Sequence, residues 1–373
     1  KGYAYVCTCI QEEIKKNRFE GRECNCRILL EEEHEKRFKE MFKAKEGKMV
    51  LRLKGYMQHE NTTMRDPTLL RVIDHEHARQ GKKYRIWPTY DFENAVLDGL
   101  EGVTHRLRTK EFELRNELQN YMQNILGFNQ TKIYEFARFN MEGVESSGRI
   151  IRDLIKKKKL IGWDDPSLTT LVALKRRGFV AEAIRNFVLS TGITKTEATL
   201  TWDDLIAHNK RILDAKAGRY FFIHDAKEIK VEGAPEQNVK LKLHPDAKER
   251  ERSFNAKDEF FIEKKDFSEL KENKIHRLMD CLNFKKKGNK IVFDSLEHEH
   301  FKKNPGSIIH WLPEGNDLIN AEVLMPDKKV IKGAAEPMAS KLKENDIIQL
   351  VRFGFCRLDK KDKNKLKFWF AHK

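Results

Sequence analysis

The sharpest constraint on the fold of this chain is a change of pattern near Ala215. From there onward the sequence breaks into short apolar-rich runs, RYFFIHD, KLKL, KIVFD, EVLMP and IIQLVRFGFCRLD, separated by polar or Gly/Pro turns. Strands of that length and spacing predict one or two antiparallel β-barrels. Upstream the pattern differs. Residues 141–213 read as mostly helical, whereas 84–140 alternate strand and helix, an order that predicts a parallel α/β unit. There YRIWPTYDF reads as a buried strand and KIYEFARFN (132–140) as the next one. Between them EFELRNELQNYMQNI (111–125) reads as a helix with Phe112, Leu118, Tyr121, Met122 and Ile125 on one side. In DDPSLTTLVALKRRGF, Asp165 suits a helix N-cap, Pro166 the first turn and Gly178 the C-terminal cap. Leu168, Leu171 and Val172 would form its apolar face. The expected class is α/β plus all-β.

At 373 residues the chain can bury several cores. A formal net charge of +15 and a pI near 9.3 favour a polyanionic partner, nucleic acid above all. A lysine-rich or heat-adapted surface is the competing account of a chain with 35% charged residues. No apolar run approaches the length of a membrane span, and no signal peptide opens the sequence. With only six cysteines, the expected compartment is cytoplasmic and reducing. The sequence starts at Lys1 directly in an apolar stretch, GYAYVCTC, which reads as a start within a longer or split protein.

Four of the cysteines form two C-x-C pairs, Cys7 with Cys9 and Cys24 with Cys26. Two thiolate pairs on tight turns can complete a tetrahedral Cys₄ shell, for which zinc is the usual occupant, and a full shell is structural rather than catalytic. Four ordinary core or oxidised cysteines are the alternative. The two His-Glu-His stretches, at 75–77 and 298–300, lack further ligands nearby and read as surface histidines. VESSGRI (144–150) has small residues, a glycine and an arginine, a composition that can wrap phosphates but is also that of an ordinary turn.

AYV, MRDP (64–67), WPTYDF (87–92), EGVTH (101–105), VESSGRI, GWDDP (162–166), LKRRGF (174–179) and IHW (309–311) occur in that order. In this the chain resembles the glutamyl/glutaminyl-tRNA synthetase family, class I, in its archaeal and eukaryotic form. IKGAAEP (331–337) and QLVRFGFCRLD (349–359) resemble the C-terminal anticodon-binding barrels of that family. The resemblance implies a layout. Residues 1–83 would be an inserted acceptor-stem-binding domain, and 84–140 the second half of a Rossmann-type catalytic domain. Residues 141–215 would carry the signature loop and a helical bridge, and 216–373 the anticodon-binding β-barrels. The paired cysteines fall where archaeal glutamyl enzymes carry theirs. The first Rossmann half, with its HIGH-type ATP motif, has no counterpart here, so a complementary N-terminal fragment is expected to be needed for activity. The signature-loop lysine is also replaced: Ser147 stands at its place, with Ser146 beside it and Arg149 the only cation in the loop.

The same resemblance separates the two specificities. Glutaminyl relatives typically carry cysteine at the place of Arg108 and glutamine at the place of Ile133, so both positions here are of glutamyl type. The chemistry agrees, because a guanidinium fork grips a carboxylate with two parallel charge-assisted hydrogen bonds. Glutamine would leave the cation without its counter-charge. By resemblance Tyr90 would sit against the amino acid and Asn94 would line its pocket, with Asp91, Asp98 and His105 in support. The implied reaction makes glutamyl-adenylate from glutamate and ATP, with Mg²⁺ assisting, and then passes the glutamyl group to tRNA-Glu. Ser146, Ser147 and Arg149 would hold the pyrophosphate end, Arg352 would contact the anticodon, and the run Lys156–Lys159 would track the tRNA backbone. A non-catalytic tRNA-binding module derived from a synthetase is the main alternative. A glutaminyl enzyme is disfavoured by Arg108 and Ile133.

Overall fold

The computed structural model describes residues 2–246, 251–315 and 317–373. It divides into two compact units, residues 1–138 with 193–198, and residues 139–192 with 199–373. No helix among the described residues is long and apolar enough to cross a membrane.

The first unit opens on a four-stranded antiparallel sheet of β1 (Ala4–Cys7), β2 (Val50–Leu53), β3 (Thr68–Val72) and β4 (Ile86–Pro88), in that spatial order. Two helices, α1 (Gln11–Glu20) and α2 (Glu31–Met41), lie between β1 and β2 in the chain. Asp66 anchors the bend before β3. Its backbone is left-handed, and its buried carboxylate accepts the Tyr5 hydroxyl and the Gly55 amide, each at 2.8 Å. Position 55 must be glycine, because a Cβ there would lie 2.1 Å from the Met64 carbonyl oxygen.

YRIWPTYDF is not one strand. β4 ends at Pro88, which has no amide hydrogen for a ladder, and α3 (Tyr90–Leu100) starts two residues later. Asp91 and Glu93 in its first turn complement the helix dipole. The parallel unit is displaced accordingly. Its first strand is β5 (His105–Thr109), connected through α4 (Glu113–Leu126) to β6 (Lys132–Phe136), which runs parallel to it. Leu118 and Met122 of α4 pack against Ala95 of α3 and against Leu53, Met64 and Leu69.

The second unit opens on a short strand, Phe139–Met141, and continues with α5 (Gly148–Lys156), α6 (Leu171–Arg177), α7 (Ala181–Thr191) and α8 (Trp202–Asp214). Thr170, not Asp165, caps α6, its hydroxyl accepting the Ala173 amide at 3.2 Å. Asp165 instead ties a preceding turn, accepting the Ile161 amide at 2.8 Å and the Ser167 amide at 3.1 Å. This later start rotates the helix face, so Ala173 and Leu174 are buried while Leu171 and Val172 are exposed. Gly178 does close the helix, with φ 104°.

Two seven-stranded sheets follow. One has the order Phe222–Ile223, Val330–Ala335, Ile319–Leu324, Lys365–His372, Gly354–Asp362, Ile347–Leu350, Arg219–Tyr220. The other has the order Pro305–Ile309, Ile275–Leu278, Asn283–Lys287, Lys290–Ser295, Ala226–Glu232, Glu259–Glu263, Leu312–Pro313. In each, the first and last strands are halves of one bent run, broken at Phe221 in one case and at His310–Trp311 in the other. A run that pairs at both ends of its own sheet closes that sheet on itself. The pairing is not wholly antiparallel. Ile319–Leu324 runs parallel to Lys365–His372, and Ala226–Glu232 to Lys290–Ser295, because long connections rather than hairpins join these strands. Side-chain alternation links the two cores: Tyr220 and Phe222 enter one, Phe221 and Ile223 the other.

Glu336 is buried where these cores meet. It accepts the Phe221 amide at 2.6 Å and pairs with buried Arg252. Burial pushes its carboxyl up to about 7, while Arg252 and the Phe221 amide pull it down. A carboxyl raised on folding binds more protons folded than unfolded. Its stabilising contribution is therefore complete below about pH 4.5 and is lost as the pH rises through about 7. Urea midpoints should fall across that window, and Glu336→Gln should flatten the fall. Glu336→Ala, which strands the Arg252 cation, should cost about 3–5 kcal/mol.

Candidate functional site

Cys7 ends β1 and Cys9 follows just before α1, while Cys24 and Cys26 lie on the turns after α1. All four are free thiols whose sulfurs lie within 4.8 Å of one another. Cys7 and Cys24 are 3.9 Å apart, and Cys9 and Cys26 are 4.0 Å apart. Thiolates held at about 2.3 Å around a tetrahedral zinc are about 3.8 Å apart, so the donor set fits that ion. Buried Arg52 places Nη1 3.9 Å from both the Cys7 and Cys24 sulfurs, and Arg37 Nη1 lies 3.9 Å from Cys26. These cations suit the negative charge of a four-thiolate shell. The hydrogen bond with Cys7 pulls the Cys24 thiol down to about 4, and the Cys7 thiol rises in return. Neither His-Glu-His stretch lies in a named strand. His77 sits at a tight turn, and His298 opens a short helix over His298–Phe301.

A second cluster forms where α3 and α4 cover the β5–β6 pair. Strand alternation turns Arg106 and Arg108 to the same covered side, and the parallel register sets Ile133 beside Arg106 and Glu135 beside Arg108. Arg108 is 7% exposed. Its Nη2 donates to Gln119 Oε1 at 2.9 Å and its Nη1 to Asn116 Oδ1 at 3.2 Å, while Nε is buried without a partner. The nearby carboxylates are taken. Asp98 binds Arg106 Nε at 2.6 Å, Asp91 binds Arg115 at 2.5 Å, and Glu135 binds Lys195 at 2.5 Å. Arg108 is thus a buried cation with no ion-paired carboxylate among the described residues. Burial, then repulsion from Arg106, lowers its pKa, and Tyr90, Asp98 and Asp91 offset part of that.

Tyr90, at the start of α3, is partly exposed and packs on Phe112 with ring centroids 5.3 Å apart. Asn94, one turn on, donates to the Tyr90 carbonyl at 3.3 Å. Phe112 also lies under the Arg108 guanidinium, 5.6 Å from it. The structure therefore brings Tyr90, Arg108 and Ile133 to one region of the first unit. Arg106, Asn116 and Gln119 also belong to this cluster, although no motif in the sequence singles them out. The one available signal was the alternation in HRLRT, which puts Arg106 on the face of Arg108.

Ser146, Ser147 and Arg149 lie in the second unit, at the start of α5. Ser147 is its N-cap residue, its amide held by Glu145 at 2.7 Å, and Arg149 projects exposed from the first turn. Helix N-termini favour anions. Arg352, also in the second unit, has a left-handed backbone, φ 62°. Both its terminal nitrogens bind buried Asp266, at 2.6 and 2.7 Å, and Nη1 also meets His310 Nδ1 at 3.2 Å. Its fork is thus occupied internally, and only its outer face is free. It borders a cleft of about 660 Å³ that is also lined by Arg219, Lys240, Lys242, Arg252 and Gln349.

The profile described as "tRNA synthetases class I (E and Q), catalytic domain" matches residues 1–215. Two profiles described as "tRNA synthetases class I (E and Q), anti-codon binding domain" match 217–299 and 308–359. The glutamate–tRNA ligase of Pyrococcus abyssi is 38% identical over 384 residues, covering 100% of this chain and 67% of that protein. The glutamate–tRNA ligase of Methanothermobacter thermautotrophicus is 37% identical over 375 residues, with the same coverage. The chain thus spans about two thirds of these relatives. A glutamate–tRNA ligase structure from Elizabethkingia meningosepticum aligns with a TM-score of 0.38 at 18% identity, covering 58% of this chain and 51% of that one.

Proposed function

The chain belongs to the class I tRNA synthetases of the glutamate and glutamine type, and on that premise we propose that it takes part in the ATP-dependent attachment of glutamate to tRNA-Glu. The observation that carries glutamate, rather than glutamine, is the buried Arg108 cation with no ion-paired carboxylate among the described residues. The substrate side-chain carboxylate supplies the missing anion through charge-assisted hydrogen bonds from Nε and the remaining Nη hydrogens. Gln119 and Asn116 hold the fork in place. Ile133 offers an apolar wall, and Tyr90 and Asn94 flank the amino acid from α3.

In the first step the glutamate α-carboxylate attacks the α-phosphorus of ATP, a C–O–P bond forms and pyrophosphate leaves. In the second, the terminal ribose hydroxyl of the tRNA attacks the acyl carbon and AMP leaves. Ser146, Ser147 and Arg149, at the N-terminus of α5, hold the pyrophosphate end, with Arg149 serving as the loop cation. Mg²⁺ arrives with ATP as part of the substrate. Cys7, Cys9, Cys24 and Cys26 hold a structural zinc ion, which would supply fold stability rather than chemistry. With this role we assign the protein to the cytoplasm.

The β5–β6 pair supports a further element of the reading. Parallel sheets are ordinarily buried on both faces. Here Leu107 and Tyr134, on the side away from Arg108, are exposed, and no further strand pairs with either one among the described residues. The open edges suit further parallel strands bearing the HIGH-type half of the ATP site, and the exposed face suits the helices that would connect them, both from residues outside this sequence. A charging assay with ATP, Mg²⁺, labelled glutamate and tRNA-Glu tests this, run on the chain alone and with a HIGH-bearing N-terminal fragment. Glutamylation in the mixture supports the reading. Tight tRNA binding without charging in either case would make the chain a binding module.

The basic cleft beside Arg352 suits unstacked anticodon nucleotides, with Arg352 presenting only its outer face. Affinity for tRNA should then fall steeply with salt. Replacing Arg219 and Lys240 by glutamine should flatten the log–log slope by about 0.7–0.9 for each phosphate left without its cation.

A further inference from the structure

The hairpin between β3 and β4 carries a ring stack that the amino-acid pocket does not use. His77 bridges to Gly81 across its tip, and Nδ1 accepts the Arg79 and Gln80 amides at 3.2 Å each. These bonds hold the imidazole on the Trp87 indole, with centroids 4.6 Å apart and planes 13° apart. Trp87 is fixed in turn by its Nε1 bond to the Tyr84 carbonyl at 3.1 Å, with the Tyr84 ring edge-on to it. His77 is exposed, as are Arg79, Lys82 and Lys83 around it. Arg85, at the hairpin base, is by contrast committed to Asp74.

A histidine needed only to close a turn has no reason to lie flat on a partly exposed indole. An exposed stacked ring on a hairpin that also carries Arg79, Lys82 and Lys83, with Glu76 the exposed acid left at its tip, is instead the arrangement that holds unpaired nucleotides, because every base offers a π face and every link carries a phosphate. The position is apt. Only Pro88 and Thr89 separate Trp87 from Tyr90, a span of at most about 10 Å. A tRNA end delivered to the amino-acid pocket must pass close to the hairpin.

We propose that His77, stacked on Trp87, is the platform for an unpaired nucleobase at the accepting end of the tRNA, with Arg79, Lys82 and Lys83 serving the adjoining phosphates. This rests on the synthetase reading above. The platform is sequence-tolerant and sets the path of the RNA end rather than its identity.

The test measures binding of the chain to tRNA-Glu transcript, intact and trimmed of its unpaired 3′ nucleotides. His77→Asn keeps an acceptor for the turn amides but removes the ring, whereas His77→Phe keeps a ring. Trimming should weaken wild-type binding about tenfold. His77→Asn should bind intact RNA as weakly as wild type binds trimmed RNA, and His77→Phe should recover most of the loss. If His77→Asn binds intact RNA like wild type, or weakens intact and trimmed RNA alike, the platform is overturned while the tRNA reading stands. The same holds if His77→Phe is as weak as His77→Asn. If wild type binds neither RNA, both fall.

Discussion

Chelation should release one zinc ion per chain and unfold the lobe that contains α1 and α2. The reason is how little apolar core that lobe has, polar ties such as Arg27–Asp66 and Arg65 to the Arg18 carbonyl apart. Helix α1 buries no residue, and α2 buries only His34 and Met41. The buried part of the local core is Tyr5 with three of the cysteines themselves, and of the partly buried apolar residues only Cys9, Ile14 and Val50 pack against it. Structural zinc contributes apparent binding energies of about 10–16 kcal/mol, comparable to the whole stability of a typical domain, about 5–15 kcal/mol. Cys24→Ser should act like the chelator. Metal analysis and limited proteolysis of residues 8–49 would report both effects. A metal-free chain that resists the protease as well as the untreated one would rule out a structural role for zinc.

The second large effect is expected at Arg108. Arg108→Gln should lower kcat/KM for glutamate by about a thousandfold in the reconstituted enzyme, the scale of losing one partner of a buried, hydrogen-bonded charge pair. Its melting temperature should stay level or rise, because the substitution removes a buried cation that has no ion-paired carboxylate among the described residues. The two readouts separate the possible roles. A merely structural arginine would lose stability on substitution, whereas one poised for a ligand loses only activity.

Much of this was legible in the sequence where the signal is local. The cysteine pairs needed only their spacing, and the short strands after Ala215 only their turns. Gly178 ended its helix as expected because a left-handed cap asks for glycine. Other features depend on context. Aromatic and β-branched residues made YRIWPTYDF look like one strand, yet Pro88 ends the ladder and the acids after Tyr90 start a helix. Asp165 and Thr170 both suit an N-cap; Asp165 is taken up by the turn amides of Ile161 and Ser167 and by an ion pair with Lys328, which leaves the cap to Thr170. Gln119 and Asn116 could not be assigned to Arg108 without knowing that α4 lies across β5. The tie between Arg352 and Asp266 spans 86 positions and left no trace in the motif around Arg352.

The most direct test of the account is a competition. Wild-type chain, joined to a HIGH-bearing N-terminal half, would be offered labelled glutamate and glutamine at equal concentration with tRNA-Glu and ATP, and the amino acid recovered from the tRNA would be identified. The account predicts glutamate almost alone, with that preference lost in Arg108→Gln. Glutamine recovered in comparable amount from the wild-type reaction would contradict it.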